Sequence, residues 1–260
     1  MSIVTLLTDF GWKDGYVGIM KGVILGIAPH VTLVDITHDI APQDVRDAAY
    51  VLYTAVPYFP PDTVHLVVVD PGVGSERRAI AVRTAQGAFV APDNGVLSYV
   101  LVANPPQIAV SLTNPRYRLP QVSHTFHGRD IFAPAAAHLA QGVPLTELGE
   151  PVQELITFPL PQAQIRPDGS VSGQVIHVDH FGNAITNLRR EDIPWPDERL
   201  LIEVGGRVLA GLHKTYAQGQ PGEPLALIGS SGHLEIAVPG GNAAQSLNVC
   251  IGSEVRLRRR

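Results

Sequence analysis

The first third of the chain alternates between short apolar runs and amphipathic segments. The apolar runs are rich in Val, Ile, Leu and Thr and are typical of buried strands. In the segments between them, apolar residues recur at helical spacing. Strand and helix alternating in this way predict βαβ units and a parallel sheet. The predicted strands are 3–8, 31–36 and 63–69, and the predicted helices are 16–27 and 42–56.

The middle of the chain continues the same domain with shorter elements. Apolar runs at 79–82 and 88–91 flank Gln86 and Gly87, which predicts a hairpin. Helices are predicted over 96–102 and over the alanine-rich segment 131–140.

The pattern changes after a proline-containing segment, 157–169, which is the best linker candidate. Beyond it the chain has short strand-like runs separated by glycines, as in a small β-barrel or sandwich. The predicted fold class is therefore α/β: a parallel-rich α/β sandwich domain over 1–158, followed by a smaller β-barrel-like domain over 169–260.

The composition argues against some classes of binding partner but says little about the activity. The 260 residues are 45% hydrophobic and 17% charged, with a net charge of -5, so we expect neither nucleic acid nor a membrane surface as a partner. The N-terminus has no secretory pattern and no apolar run is long enough to span a membrane, which favours the cytoplasm. Cys250, the single cysteine, is expected to be a small buried residue, and the arginines within 256–260 a solvated tail.

Acidic residues and a histidine follow the predicted strands at the points where those strands end. Because parallel strands joined by right-handed crossovers gather the following loops at one edge, these side chains are expected to share a rim. The residues are Asp9, Asp14, His38, Asp39 and Asp70.

Two of the loops carry candidate acid/base chemistry. Asp70 opens a Pro/Gly turn that continues to Arg77 and Arg78, either of which can fold back toward the carboxylate. His127 lies in a Phe-His-Gly loop before the alanine-rich helix, where a flat ligand can stack. Asp70 and His127 are candidates for activating water, with Arg77 neutralising charge.

Several common sites are not supported by the motifs. The spacing of His177, Asp179 and His180 suits a metal poorly, because a strand places the last of them on the opposite face. There is no P-loop, no dinucleotide fingerprint and no Gly-x-Ser-x-Gly elbow. We therefore expect no metal and no cofactor. A structural domain without a ligand remains an alternative, as does a nucleoside-binding sensor with little turnover.

Six motifs in order along the chain resemble the S-adenosylmethionine hydroxide adenosyltransferases, relatives of the fluorinases and chlorinases. The likeness extends from Ile3 to Val255. It implies hydrolysis of S-adenosyl-L-methionine by attack of water or hydroxide at C5′, giving adenosine and L-methionine. The motifs are Leu-Thr-Asp-Phe-Gly at 7–11, Val-Asp-Ile-Thr-His at 34–38, Val-Asp-Pro-Gly-Val-Gly at 69–74, Ala-Pro-Asp-Asn-Gly at 91–95, Thr-Phe-His-Gly-Arg-Asp at 125–130 and His-Phe-Gly-Asn at 180–183.

By motif position the resemblance implies a catalytic triad of Asp70, Arg77 and His127, and leaves Arg78 as a solvated side chain. It also implies a substrate-binding set in which Asp9 holds the ribose, Phe126 forms an apolar wall, and residues of the C-terminal domain meet the base. That set is Asp9, Asp14, Phe126, Gly128, Phe181, Asn183, Ser230, Ser231, Glu235 and Val238. The family further implies a homotrimer with each site at a subunit interface.

The halogenating relatives differ from this sequence at the decisive positions. They carry tyrosines where this chain has Asp70 and His127, and the fluorinases have a long insertion where the connection 83–89 is short here. A halide beside a carboxylate at 4 Å is disfavoured by about 4 kcal/mol at an effective dielectric constant of about 20. The sequence therefore favours hydrolysis, with a halogenase-like adenosyl transfer as the alternative reaction.

Overall fold

The computed structural model describes residues 2–260; Met1, at which the predicted first domain begins, lies outside the described residues. The chain forms two compact units. The first ends at Pro159, and the second is Leu160–Arg260.

A mixed seven-stranded sheet forms the centre of the first unit. The strand order is β2-β1-β3-β5-β4-β6-β7. The pairs from β2 to β5 are parallel and those from β5 to β7 antiparallel, which confirms the parallel-rich prediction. The strands are β1 (Ile3–Thr8), β2 (Thr32–Thr37), β3 (Val64–Val68), β4 (Ala79–Thr84), β5 (Gly87–Pro92), β6 (Ile108–Ser111) and β7 (Glu150–Pro151).

Helices cover both faces of this sheet. Because side chains alternate along a strand, Leu66 of β3 joins one core with Met20, while Val67 joins the other with Leu52. Burial on both faces explains why the central strands are apolar throughout. The helices are α1 (Tyr16–Ile27) and α4 (Ala133–Ala140) in the first core, and α2 (Val45–Ala55) and α3 (Ser98–Ala103) in the second.

Three predicted helices start later than the sequence pattern indicated, among them α3, which begins at Ser98 rather than at residue 96. The predicted helix 42–56 begins only at Val45, because Asp44 is its N-cap and accepts a hydrogen bond from the Asp47 amide. Gln43, just before this cap, has a left-handed φ of 67°. The alanine-rich helix is preceded by a π-helical turn over Gly128–Phe132, so only Ala133–Ala140 is α-helical.

The second unit is built from antiparallel strands that nearly close on themselves. Its strand order is β12-β11-β15-β9-β10-β14-β13, with β8 paired to β9. His213, after β12, bridges to Leu227 of β13, so the two ends of the sheet approach each other as in a barrel. The strands are β8 (Gln164–Ile165), β9 (Val171–Val178), β10 (Ala184–Arg189), β11 (Leu200–Val204), β12 (Arg207–Ala210), β13 (Leu225–Ile228), β14 (His233–Ala237) and β15 (Glu254–Arg259), with a short helix α5 (Ala243–Ser246).

Two minor expectations for this unit are wrong. Cys250 is exposed rather than buried, because it lies in the turn before β15. The C-terminal arginines do not form a solvated tail, since most of them belong to β15. Arg256 is ion-paired with Asp168 and Arg258 with Glu203.

His65 makes the stability of the first unit depend on pH. Its side chain is buried between strands, Nδ1 lies 2.9 Å from Thr5 Oγ1, and the ring stacks on Phe89. Nε2 has no hydrogen-bond partner among the described residues. Burial lowers the pKa of His65 to about 4. The unfolded chain therefore takes up a proton at a higher pH than the folded chain does.

We expect the free energy of unfolding to decrease by up to about 3 kcal/mol as pH falls from 6.5 to 4. Urea denaturation at a series of pH values measures this loss. His65→Leu, which keeps an apolar side chain of similar size, is expected to flatten the pH dependence, and His30→Ala, at an exposed position, is not. An unchanged pH slope in His65→Leu would contradict the assignment.

Candidate active site

The carboxyl ends of β1 and β3 lie side by side and open into one cavity. These strands are parallel, with Thr8 opposite Val68. Asp9 follows β1 directly and Asp70 follows β3 after one residue, so both side chains reach the same edge. Both line a cavity of about 670 Å³, a volume typical of small-molecule sites. His127 lines the same cavity.

Asp70 and Arg77 form a buried, bidentate ion pair beside this cavity; Asp70 lines the cavity, and Arg77 is not among the described residues that do. Arg77 Nε lies 2.9 Å from each Asp70 oxygen, and Nη2 also pairs with Oδ2. Only 5% of the Asp70 side chain and 10% of the Arg77 side chain are exposed. The guanidinium group also stacks against Phe132, with Cζ 5.1 Å from the ring centroid. Together these contacts fix the orientation of the guanidinium group relative to the carboxylate.

His127 completes the group through the same guanidinium. Arg77 Nη2 lies 2.8 Å from His127 Nδ1. Because a guanidinium only donates hydrogen bonds, Nδ1 accepts and the ring proton is on Nε2. Burial, followed by the nearby charge of Arg77, lowers the pKa of His127, with Asp70 and Asp130 opposing the shift. The ring is therefore neutral at pH 7.

One close approach brings the Asp70–Arg77 turn to the His127 loop, and a set of hydrogen bonds within that loop holds its shape. Gly74 has a φ of 77°, and a Cβ there would overlap the His124 carbonyl group, so only glycine permits this approach. Within the loop, buried Asp130 accepts hydrogen bonds from Ser123 N and Oγ at 2.8 and 2.7 Å. Burial alone would raise the pKa of Asp130, but hydrogen bonds from Arg129 and Ser123 hold it below its usual value.

Asp9 is held by the backbone of the loop before α2. Gln43 N donates a hydrogen bond to Asp9 Oδ2 at 2.8 Å, which its left-handed conformation makes possible. Among the described residues this is the one hydrogen bond to the Asp9 carboxylate. The carboxylate oxygens can accept several more. Asp9 therefore suits a ligand whose hydroxyl groups donate hydrogen bonds.

An aromatic wall lines the cavity beside Asp9. Phe10, Tyr16 and Phe126 make mutual edge-to-face contacts, with ring centroids 5.2–5.9 Å apart. A Cβ at Gly128 would come within 3.4 Å of Met20, Phe126 and Phe10, so this glycine lets the wall pack tightly. The cavity thus combines an apolar, aromatic side with a charged end.

Three of the residues expected at this rim do not line the cavity among residues 2–260. Asp14 and Asp39 are exposed and, within residues 2–260, are not among those that line the cavity. His38 is fully buried below the rim, between Thr8 Oγ1 at 2.8 Å and Asp35 Oδ1 at 3.0 Å. It therefore supports the end of β1 rather than facing a ligand.

Other cavity residues were missed by the sequence reasoning. Tyr16, Gln43 and Ser123 line the cavity. The sequence offered one signal for Gln43. An aspartate such as Asp44 is a typical N-cap, and the residue before an N-cap lies in the loop that leads into the helix, here at the sheet edge. No motif pointed to Ser123.

The predicted residues of the second unit lie on strand β14 and in three connecting segments. Phe181 is 73% exposed, whereas Asn183 is buried and donates to Asp179 Oδ2 at 2.9 Å. Glu235 on β14 is buried and accepts a 2.6 Å hydrogen bond from Tyr216 Oη. Burial raises the pKa of Glu235. Ser230 and Ser231 form the turn between β13 and β14, and Val238 follows β14.

Two searches of the described residues bear on other kinds of site. No group of three or more His, Cys, Asp or Glu side chains in residues 2–260 is placed to hold a metal ion. Over the same range, no helix is both long and apolar enough to cross a membrane.

Comparison with known proteins gives matches over nearly the whole chain. Family models for the SAM hydroxide adenosyltransferase N-terminal and C-terminal domains match residues 4–149 and 173–256. The (R)-S-adenosyl-L-methionine hydrolase of Thermus thermophilus is 42% identical over 99% of this chain and 100% of its own length. A fluorinase from an Actinoplanes species is 30% identical over 97% of this chain and 96% of its own.

The fold comparison agrees with the sequence comparison. The crystal structure of an uncharacterized conserved protein from Thermotoga maritima superimposes with a TM-score of 0.92. It is 40% identical, and the match covers 98% of this chain and 100% of that one.

Proposed function

This chain belongs to the SAM hydroxide adenosyltransferase family, and we propose that it is an enzyme that hydrolyses S-adenosyl-L-methionine to adenosine and L-methionine. Relatives at 35–42% identity over their full length are named (R)-S-adenosyl-L-methionine hydrolase. The observation that carries the proposal is the single buried group in which Arg77 contacts both Asp70 and His127 at the end of a nucleoside-sized cavity.

The reaction needs an activated oxygen nucleophile and little else. The water oxygen forms a bond to C5′ while the C5′–S bond breaks, and its electron pair leaves with sulfur. The sulfonium becomes the neutral thioether of methionine, so the leaving group requires no proton. The proton that water loses goes to solvent, directly or through the protein. Catalysis therefore consists of aligning the water and stabilising the hydroxide-like negative charge that its oxygen gains as it loses a proton.

Each member of the triad suits one part of this task in our proposal. Arg77 supplies the positive charge near the attacking oxygen, and Asp70 orients both Arg77 and the water. His127, oriented through Nδ1 by Arg77, hydrogen-bonds the attacking oxygen. Asp9 holds ribose hydroxyl groups, which fixes the position of C5′ rather than taking part in the chemistry.

The charge of the site supports water rather than halide as nucleophile. A halide in the position of the attacking oxygen would lie against the Asp70 carboxylate in a mostly buried site. Water enters the site neutral and becomes hydroxide-like only as it loses its proton, whereas a halide carries its full negative charge from the start. Arg77 is already paired with Asp70 through both carboxylate oxygens. Halide binding is therefore disfavoured.

We further propose that the chain works in the cytoplasm as a homotrimer in which the second unit of a neighbouring subunit completes the site. The motif positions favour contacts of the C-terminal residues with the adenine base, and of Asp14 with the methionine ammonium group. The C-terminal residues in this proposal are Phe181, Asn183, Ser230, Ser231, Glu235 and Val238.

Incubation with S-adenosyl-L-methionine in H₂¹⁸O is expected to give adenosine and methionine in equal amounts, with ¹⁸O only in the adenosine 5′-hydroxyl group. Mass spectrometry locates the label, and the same yield is expected with EDTA. Both configurations at sulfur are assayed, since the relatives' name specifies (R).

Three results would contradict the proposal. Adenosine at the rate of spontaneous breakdown would reject the enzyme, and tight adenosine retention without turnover would favour a sensor. A halogenated nucleoside formed in added chloride would instead favour adenosyl transfer to halide.

A further inference from the structure

The turn that carries Asp70 and Arg77 is contacted at both ends by the loop that follows β5. At the start of the turn, Asn94 Nδ2 donates to the Val69 carbonyl oxygen at 2.9 Å. At its end, Asp93 N donates to the Arg78 carbonyl oxygen at 2.9 Å. Two adjacent residues thus hold the residue before Asp70 and the residue after Arg77.

The Asp93 side chain strengthens the second of these contacts. Its carboxylate is 1% exposed and accepts from Arg78 Nε at 2.8 Å. It also accepts from Ile156 N at 2.8 Å, and Arg78 Nη2 donates to the Glu154 carbonyl oxygen at 2.7 Å. Arg78, whose side chain is 42% exposed, is thus ion-paired and hydrogen-bonded rather than simply solvated as expected from the sequence. A buried carboxylate with this set of partners has one stable arrangement.

The Asn94 side chain is fixed from its other end as well. Its Oδ1 accepts from Val96 N at 3.1 Å, so both ends of the amide are used. Gly95 has a φ of 96°, and a Cβ there would come within 2.8 Å of the Phe158 ring. The loop is thus packed against the segment behind it and acts as a rigid support.

We propose that Asp93 and Asn94 are positioning residues that set the separation between the Asp70–Arg77 pair and His127. Neither is among the described residues that line the cavity, and both act through the backbone at Val69 and Arg78. That this positioning affects a reaction rate rests on the proposed hydrolysis. A shift of about 1 Å in a catalytic group can cost about 100-fold in rate, so support at both ends of this turn is consequential.

Asn94→Ala is expected to lower kcat by about 10- to 100-fold, with KM and adenosine affinity nearly unchanged. Asn114→Ala is the matched control, because Asn114 makes the same two kinds of bond. Its Nδ2 donates to the Glu147 carbonyl oxygen at 2.7 Å, and its Oδ1 accepts from Arg116 N at 3.1 Å. Asp93→Asn, which keeps the shape of the side chain and removes its charge, tests the Arg78 end of the turn.

Two further readouts separate positioning from general loss of structure. If Asn94 acts through the triad, its effect on kcat disappears in a His127→Ala background, whereas independent effects multiply. NMR titration of His127 requires no turnover. Displacement of Arg77 is expected to raise the pKa of His127 in Asn94→Ala and to leave it unchanged in Asn114→Ala.

The outcomes are distinguishable from failure of the proposed reaction. If Asn94→Ala matches Asn114→Ala in the titration of His127 and in any measurable kcat, the positioning role is wrong. If the wild-type protein does not hydrolyse S-adenosyl-L-methionine but only Asn94→Ala and Asp93→Asn shift the pKa of His127, the support is real and the reaction is wrong.

Discussion

Arg77→Ala is expected to reduce kcat for S-adenosyl-L-methionine hydrolysis by about 10²- to 10³-fold, with adenosine affinity changed far less. Arg77 contacts Asp70 with Nε and Nη2 and His127 with Nη2, so its removal separates the two other members of the group. The positive charge near the attacking oxygen is lost as well. Steady-state kinetics measures the first effect, and calorimetry with adenosine measures the second.

The same substitution also leaves the Asp70 carboxylate buried without its partner, which destabilises proteins by about 3–5 kcal/mol. Arg77→Lys keeps the charge and is therefore the second variant. A lysine has one nitrogen and cannot pair with both Asp70 oxygens while reaching His127, so kcat is expected to stay low while the fold is retained. Arg116→Ala, which removes an arginine from an exposed turn, is the control. Equal losses of kcat and adenosine affinity in Arg77→Lys would identify Arg77 as a binding residue.

His127→Ala is expected to lower kcat by about 10²- to 10⁴-fold and to change the pH profile. In the wild-type protein the neutral ring accepts from Arg77. Burial and the Arg77 charge lower the pKa of His127, so activity is expected to be constant near pH 7 and above. It should fall only below pH 6.5, where the ring gains a proton and loses its bond to Arg77.

The acid decline is expected to disappear in His127→Ala, and this separates a role in chemistry from a role in folding. His138→Ala is the control, because His138 is also a partly buried histidine with a lowered pKa but packs against Tyr117. A full acid decline that persists in His127→Ala would assign the titration to another group. A change in adenosine affinity as large as the change in kcat would make His127 a binding residue.

The structure gives one reason why the fold tolerates a buried charge group at this place. The Asp70–Arg77 pair sits between two rigid supports, the Asp93–Asn94 loop on one side and the His127 loop on the other. Gly74 brings the second support within contact distance. Pre-organised charge of this kind needs no rearrangement when the reaction begins.

The fold class and the family were determined by the sequence itself, because both depend on local order along the chain. Short apolar runs, helical spacing between them and glycine-separated strands after residue 169 predicted a parallel-rich α/β unit followed by a β-barrel-like one, and both were confirmed. The proposed reaction follows from motifs in the same order as in the family. The roles of Asp70, Arg77 and His127 stay predictions.

Only the tertiary structure decided how those residues meet and what supports them. The motif positions already implied Arg77 as the partner of Asp70. The second pair beside it, Arg78 with Asp93, depends on where the Arg78 side chain points after the turn, which residue order does not specify. The left-handed Gln43 that holds Asp9, and the contact of Asn94 with Val69, join residues that are 34 and 25 positions apart. Such contacts arise from packing of the whole sheet edge, and no local pattern encodes them.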